Sequence, residues 1–175
     1  EKVTIDDFSQ YAPVLSVYGL NAFGIKGKHN LKDRTIILGT SYLLMSASVL
    51  SLKSITKVER PDGSAFNSFP SGHTATAFAG AEFLWQEYKD VSIWYGISGY
   101  IIATGTGAFR IYNDKHWLTD VVAGAGIGII STKVAYWINP WVQEKIFNSK
   151  EKNSVLTIAP FYNGKQLGIG YLQTF

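Results

Sequence analysis

The sequence predicts an all-α fold, a helical bundle of about five to six helices with a short C-terminal β-hairpin. Two segments, residues 35–52 and 91–109, carry no charge and are long enough to cross a bilayer, which is typical of helices in apolar surroundings. A run of small residues over 74–80 is suited to a closely packed helix. Near the C-terminus, two alternating segments flank an Asn-Gly pair, and this pattern predicts the hairpin.

Capping and breaking signals divide the chain into elements in order. Pro13 interrupts the first helix, and a basic loop with several glycines follows at residues 24–32. Asp33 is the predicted cap of the next helix, and Asn139-Pro140 is the predicted break after the last one. Helices are therefore predicted over residues 5–19, 33–57, 72–88, 91–108 and 117–138.

Three glycines alternate with apolar residues in the last of these helices: Gly124, Gly126 and Gly128. This spacing predicts a face on which a neighbouring helix packs tightly. A dinucleotide-binding fingerprint is disfavoured, because no strand is predicted before the glycines.

The C-terminal segment has a different pattern from the rest. Strands are predicted over residues 155–159 and 167–172, with a turn at Asn163-Gly164. Because strands fit poorly into a helical core, the hairpin is expected on its surface, as a stabilising flap or as a contact element for a partner or a membrane. The predicted domains are a helical domain over residues 1–150 and a hairpin tail over residues 151–175.

Composition restricts the possible functions. A chain of 175 residues is one domain that can bury a real core. With 10 Phe, 10 Tyr and 5 Trp and only 17% charged residues, it is predicted to be folded and to have large apolar or interfacial surfaces. The absence of cysteine excludes a disulfide framework. The net charge of +3 favours anionic membranes or substrates, but no basic and aromatic patch predicts nucleic-acid binding.

The uncharged segments leave the relation to a membrane open. Both contain Ser, Thr, Tyr and Gly, and the adjacent helices carry Glu82, Glu87 and Lys133. The mean hydropathy is only +0.06. These features favour buried core helices of a water-soluble bundle over membrane spans, with peripheral attachment as the alternative. The chain begins with Glu1, as expected where a leader peptide or tag has been removed.

Three separated polar stretches carry the candidate functional residues. Two of the chain's three histidines fall within them. The stretches are Lys53-x6-Arg60-Pro61, Pro70-Ser71-Gly72-His73 and Arg110-x5-His116-x3-Asp120. Together they supply three cations, two imidazoles and one carboxylate, a set that fits transfer of a phosphoryl group through a histidine without a metal ion.

The spacing within the first two stretches has physical reasons. Lys53 and Arg60 are seven residues apart, about two helical turns, so we expect both on one face of a helix that Pro61 ends. Ser71 is a predicted N-cap, and Gly72 lets a ligand approach the backbone. The free amides and the dipole of the following helix would then face an anion.

The third stretch places a carboxylate one helical turn after a histidine. Asp120 can accept a hydrogen bond from one ring nitrogen of His116 and so leave the other free to attack. Taken singly, each candidate has a simpler explanation as a solvated surface charge, a helix cap or an exposed i, i+4 pair. Their occurrence in order between apolar helices favours a single site.

The three stretches resemble the signature motifs of the type 2 phosphatidic acid phosphatase superfamily, which also includes bacterial nonspecific acid phosphatases and vanadium haloperoxidases. The resemblance covers about residues 34–138 and rests on specific motifs. One position departs from the family pattern. Phe109 stands where the family often has a serine before the arginine, which predicts a more apolar wall beside the phosphate.

The resemblance implies a role for each residue. It implies that His116 is the nucleophile, that Asp120 orients it, and that His73 is the general acid and later the base that activates water. The implied phosphate-binding residues are Lys53, Arg60, Ser71, Gly72 and Arg110. No metal site and no cofactor are expected.

The activity that the resemblance implies is a metal-independent phosphatase for a phosphomonoester or pyrophosphate, on a lipid or a small molecule. The expected location is periplasmic or extracytoplasmic and peripheral to a membrane, with no nucleic-acid partner. A vanadium-dependent haloperoxidase is one alternative, which the short chain disfavours; vanadate would activate it and would inhibit a phosphatase. The other is a non-catalytic protein that binds phosphate headgroups, which turnover of any phosphomonoester would exclude.

Overall fold

The computed structural model describes residues 4–146, 156–162 and 167–173. By its contacts the chain divides into two compact units, Glu1–Trp137 and Ile138–Phe175. The described part contains helices α1 (Ile5–Ser9), α2 (Ala12–Ala22), α3 (Leu31–Thr56), α4 (Gly72–Tyr88), α5 (Ile93–Tyr112) and α6 (Leu118–Ile146). The predicted helical bundle is therefore confirmed. The predicted domain boundary after residue 150 lies outside the described residues and stays a prediction.

One part of the predicted fold class is corrected: the hairpin is not part of the helical bundle. Residues 4–146 form six helices and no strand, so the fold class of the bundle is all-α without a hairpin. Strands β1 (Leu156–Tyr162) and β2 (Leu167–Gln173) pair antiparallel within the second unit, which is a compact unit of its own. The turn predicted at Asn163-Gly164 lies outside the described residues.

Helix α4 is the centre of the first unit, and α2, α3 and α5 pack against it. Its small residues explain this position, since Ala75, Ala77 and Ala79 are fully buried and let neighbouring backbones come close. Larger side chains fill the space at its C-terminal half, where Phe83 and Tyr88 form a core cluster with apolar residues of α2 and α3. The close packing predicted for residues 74–80 is confirmed.

The predicted glycine face of α6 is confirmed at two of its three positions. A Cβ atom on Gly124 would lie 2.5 Å from the carbonyl oxygen of Ser71, and one on Gly128 would lie 2.4 Å from that of Ala75. These two positions are one helical turn apart and face the backbone of α4. Gly126 has no atom within 4 Å of its Cβ position, because an intervening residue points to another side of the helix.

Several predicted helix ends are corrected. The predicted interruption of the first helix is confirmed, but it lies before the proline, since α1 ends at Ser9 and α2 begins at Ala12. Pro13 lies in the first turn of α2, where its missing N–H has no intrahelical partner to lose. Helix α3 is capped by Asn30, whose side chain accepts a hydrogen bond of 2.9 Å from the backbone N–H of Asp33, the predicted cap. Helix α6 continues through Pro140, although one backbone hydrogen bond is lost there.

A buried charged cluster lies at the C-terminal end of α4, away from the three motifs. Glu87 accepts hydrogen bonds from the Tyr136 hydroxyl at 2.8 Å and from the backbone N–H of His29 at 3.1 Å. Its carboxylate is also 2.7 Å from Nδ1 of His29 and 3.4 Å from the guanidinium of Arg34. The third histidine of the chain therefore has a structural place, because it provides hydrogen-bond partners for a buried carboxylate.

The expectation of a buried core helix over residues 35–52 is wrong. In the described part of the chain, two helices are long and apolar enough to cross a membrane: Leu31–Thr56 and Leu118–Lys145. Only 22% and 33% of their most apolar windows are buried. Exposed apolar side chains, such as Leu43 and Leu50 on α3 and Ile130 on α6, cover their outer faces. The mean hydropathy is moderate because it averages these faces with the polar residues of the rest of the chain; the chain has the character of a membrane-associated bundle.

Candidate active site

Lys53 and Arg60 meet, but not by the predicted route. Lys57 has a left-handed backbone (φ 46°) and ends α3 four residues after Lys53, so Arg60 is not on that helix. The loop instead folds back on the helix end. Lys53 donates to the backbone carbonyl of Asn67, and Nε of Arg60 donates to the side-chain oxygen of the same residue at 2.9 Å. The predicted shared helix face is wrong, and Asn67 is the residue that brings both cations together.

The second motif begins α4 as predicted. The Ser71 hydroxyl accepts hydrogen bonds from the backbone N–H of Thr74 at 3.4 Å and from its hydroxyl at 2.9 Å, which confirms Ser71 as the N-cap. A Cβ on Gly72 would lie 3.9 Å from Val49, an ordinary contact. The fold itself therefore does not require glycine at this position, and the approach of a ligand to the backbone of Gly72 stays a prediction.

A tight turn after α5 brings His116 back to the C-terminal end of that helix. Asp114 has a left-handed backbone (φ 54°) and reverses the chain. The backbone N–H groups of Lys115 and His116 then donate to the carbonyl of Arg110 at 3.0 and 3.3 Å. The cation and the histidine of the third motif are thus fixed to one another through the backbone.

His116 is held by a carboxylate and a hydroxyl. Its Nδ1 lies 3.5 Å from Oδ2 of Asp120 and 3.4 Å from the hydroxyl of Ser68. Ser68 donates to Asp120 at 2.5 Å, and the backbone N–H of Trp117 donates to the same carboxylate oxygen at 2.9 Å. All three side chains of this set are buried. The imidazole is oriented through Nδ1, and Nε2 takes no part in these two contacts.

The site is strongly positive around this histidine. Burial lowers the pKa of His116 below the ordinary histidine value, and the nearby charges of Arg110, Lys53 and Arg60 lower it further. Asp120 acts in the opposite direction. The cations of the first and third motifs therefore converge on one imidazole, and His116 stays neutral into the acidic range.

Three contacts between segments connect the motifs. Lys115 forms an ion pair of 2.5 Å with Asp62, and hydrogen bonds from Lys115 and Ser64 lower the pKa of that carboxyl below its usual range. The indole N–H of Trp117 donates to the carbonyl of Glu59 at 2.9 Å. The backbone N–H of Ser71 donates to the carbonyl of Asp120 at 3.0 Å, which joins the second motif to the third.

An acidic pair on α1 contacts the remaining two candidates. Asp6 accepts a hydrogen bond of 2.6 Å from Nη1 of Arg110. Asp7 lies 3.0 Å from Nε2 of His73 and 3.8 Å from the same nitrogen of Arg110. Burial and the charge of Arg110 lower the pKa of His73, and Asp7 partly opposes them. The structure therefore brings all three motifs into one cluster.

Four residues of this cluster were not among the predicted site residues: Asp6, Asp7, Asn67 and Ser68. Asn67 and Ser68 directly precede Phe69 and the second motif, so two polar residues beside a motif were a usable signal. Asp6 and Asp7 are about a hundred residues from Arg110, and no local pattern relates them to it. In the described part of the chain, no group of three or more histidine and acidic side chains is arranged to hold a metal ion.

Two curated proteins are similar in sequence to parts of this chain. The chain is 41% identical over 138 residues to a lipid A 1-phosphatase of Porphyromonas gingivalis, which covers 77% of this chain and 31% of that protein. It is 32% identical over 74 residues to the bacitracin transport permease protein BcrC of Bacillus licheniformis, with coverage of 42% and 34%. The matches therefore span about a third of the length of these curated relatives.

The fold has a solved counterpart. The crystal structure of Aquifex aeolicus LpxE superposes with a TM-score of 0.60 and 26% identity, over 78% of this chain and 88% of that one. The family model for the PAP2 superfamily matches residues 34–144, a range that contains all three motifs. By this match and by the motifs that the fold assembles, the chain belongs to the PAP2 superfamily.

Proposed function

We propose that this protein is a phosphatase that hydrolyses a phosphomonoester or pyrophosphate, carried on a lipid, through a phosphohistidine at His116 and without a metal ion. The observation that carries the proposal is the buried His116, oriented by Asp120 and surrounded by the charges of Lys53, Arg60 and Arg110. A structural histidine has no need of three cations, whereas a nucleophile for a phosphate dianion does.

The chemistry follows in two steps. Nε2 of His116 attacks the phosphorus and forms an N–P bond while the bond to the leaving oxygen breaks, and His73 donates its proton to that oxygen. His73 then accepts a proton from water, whose oxygen attacks phosphorus as the N–P bond breaks. The products are the dephosphorylated alcohol, or the lower phosphate, and inorganic phosphate, and both histidines return to their initial states.

The protein stabilises the transferring group by fixed charges. Lys53, Arg60 and Arg110 would bind the three equatorial oxygens, on which charge is spread in the transition state. The Ser71 hydroxyl and the backbone N–H of Gly72 would add donors at the start of α4, where the helix dipole favours an anion. Because these groups are fixed before the substrate binds, little reorganisation is needed during the reaction.

A lipid is the proposed substrate class, and integral membrane association is proposed with it. Helix α3 would be about 39 Å long at 1.5 Å per residue, enough for a hydrocarbon core of about 30 Å. Exposed apolar side chains on α3, α5 and α6 support contact with acyl chains. A relative named as a lipid A 1-phosphatase supports a lipid phosphate. An extracytoplasmic active site is supported by the family resemblance.

The direct test is release of inorganic phosphate from purified protein, with and without detergent. A panel should contain phosphatidylglycerophosphate, a polyprenyl pyrophosphate, lipid A, phosphatidic acid and a soluble aryl phosphate. We expect turnover of at least one lipid, and faster turnover of it than of the soluble ester. No phosphate release from any compound would refute the activity, and a preference for the soluble ester would refute the lipid assignment.

The pH dependence follows from the two histidines. His116 must be neutral to attack, and its lowered pKa moves the acidic limb of the profile below about pH 6.5. His73 must be protonated to donate, and its lowered pKa moves the alkaline limb in the same direction. We therefore expect kcat/KM, which reports the free enzyme, to be maximal in mildly acidic solution. The profile of kcat should lie at higher pH, because a bound phosphate dianion raises the pKa of His73.

Initial rates between pH 4 and 9, at saturating and at low substrate, would measure both profiles. The difference in pH between the maxima of kcat and kcat/KM is the more specific test, since it depends on the charge of the substrate beside His73. A kcat/KM maximum above about pH 8 would contradict the assignment of the two histidines.

Removal of metal ions is expected to leave the activity unchanged. The three cations already balance the phosphate charge, so no divalent ion is required for binding or for the transition state. The measurement is phosphate release after dialysis against EDTA, with a magnesium-dependent phosphatase treated in parallel to show that chelation was complete. Loss of activity, with recovery on adding magnesium or zinc, would exclude the proposed mechanism.

A further inference from the structure

The acidic pair on α1 lies outside residues 34–144, the range that the family model matches. Asp6 and Asp7 nevertheless contact two side chains of the motifs, Arg110 and His73. Helix α1 is fixed beside α5, because the Ser9 hydroxyl is hydrogen-bonded to that of Thr106 at 2.8 Å. The two carboxylates could either orient Arg110 and His73 or occupy the position of a bound phosphate, and their distances distinguish the two.

Asp6 acts as the anchor of this arrangement. Its side chain is 1% exposed, and its two oxygens lie 2.6 Å from Nη1 of Arg110 and 3.4 Å from Nδ2 of Asn113. A buried carboxylate paired with a buried guanidinium satisfies both charges and fixes the direction of the arginine. Nε of Arg110 is buried without a hydrogen-bond partner in the described part of the chain. The pair therefore leaves donor capacity on Arg110 unused.

Asp7 is bound differently. Its carboxylate is half exposed and lies 3.0 Å from Nε2 of His73, but 3.8 Å from Arg110, beyond a good hydrogen bond. A carboxylate that replaced a bound phosphate would be expected to bond closely to the arginine. Asp7 instead pairs with the imidazole, as Asp120 does with His116. The Asp7 carboxylate is therefore placed to orient the imidazole of His73, and it does not occupy the position of a phosphate bound to Arg110.

We propose that Asp7 is a positioning residue of the active site, which holds the imidazole of His73 in place through Nε2 and leaves Nδ1 to exchange protons with the leaving oxygen and with water. Asp6 keeps Asp7 there by anchoring α1 to Arg110. This inference rests on the proposed function, since it assigns Asp7 to the acid of that reaction. It adds a second carboxylate–histidine pair to the site, supplied by the N-terminal helix.

The charges that face His73 determine the expected pH effect. They are Asp7 and Asp6 from α1 and Arg110 from α5. With Asp7 neutral, Arg110 is opposed by Asp6 alone, so His73 loses its proton at lower pH. A residue that merely stabilises the fold would lower the amount of active protein without moving the pH profile.

The test compares Asp7→Asn with wild type and with Asp90→Asn, an exposed acidic residue after α4 that serves as a matched control. In Asp7→Asn we expect kcat to fall about 10- to 100-fold on an alkyl phosphate, part of what a general acid supplies. The loss should be smaller on an aryl phosphate, whose leaving group needs less protonation. The alkaline limb should move to lower pH, and Asp90→Asn should match wild type.

A second measurement does not depend on turnover. NMR titration of protein labelled in its three histidines should show a lower pKa for His73 in Asp7→Asn than in wild type, with His29 as the internal reference. If wild type releases no phosphate, the proposed function fails and this titration still decides whether Asp7 acts on His73. An unchanged His73 titration, or a higher kcat/KM in Asp7→Asn, would overturn the inference, the latter because Asp7 would then compete with substrate.

Discussion

Replacing His116 with alanine is expected to abolish turnover, with a loss in kcat of at least about 10⁴-fold. The variant lacks the atom that would form the bond to phosphorus, whereas the cations that bind the phosphate remain. Substrate binding should therefore survive much better than catalysis. The measurement is phosphate release by His116→Ala beside wild type, together with binding of inorganic phosphate to both.

A covalent intermediate distinguishes this prediction from a general loss of structure. Wild type mixed with radiolabelled substrate and quenched in alkali should retain label on the protein, because phosphohistidine is stable to base. His116→Ala should retain none, at an unchanged melting temperature. Asp120→Asn should keep some activity, since the imidazole remains but is poorly oriented. Label on folded His116→Ala, or turnover near the wild-type rate, would assign the nucleophile to another residue.

The candidate site could be predicted from the sequence because its members lie in short motifs. His116 and Asp120 are one helical turn apart, and the structure places their polar atoms 3.5 Å apart. Lys53 and Arg60 also meet, but the predicted helix ends before Arg60, and Asn67 brings them together. A correct pairing was therefore predicted for a wrong reason, because motif spacing carries no information on how a loop returns.

Contacts between distant segments could not be predicted in this way. Asp6 and Arg110 have no common pattern, and only the packing of α1 on α5 joins them. Helix α6 also continues through Pro140, where a local breaking rule predicts an end. The exposure of α3 was misjudged because composition does not tell which side of an apolar helix faces outward.

The glycine face of α6 gives the prediction with the largest expected effect on stability. Gly124→Ala would place a methyl group 2.5 Å from the carbonyl oxygen of Ser71, and Gly128→Ala would place one 2.4 Å from that of Ala75 and 2.8 Å from the amide of Ala79. These are backbone atoms of α4 and cannot rotate away, so the helices must separate. Overpacking of this kind costs about 1–3 kcal/mol, which exceeds the gain of about 0.8–1 kcal/mol from replacing glycine in a helix.

Gly126→Ala is the matched control, since nothing lies within 4 Å of its Cβ position and only the helix gain of about 0.8–1 kcal/mol remains. Thermal unfolding in one detergent should therefore rank Gly126→Ala at or above wild type, with Gly124→Ala and Gly128→Ala clearly below. Gly124→Ala should also lose more activity than Gly128→Ala, because the displaced carbonyl belongs to Ser71, the N-cap at the proposed phosphate site. Equal stability of all three variants would show that α4 and α6 do not pack backbone to backbone, and the site would then need another explanation for how Ser71 is held against Asp120.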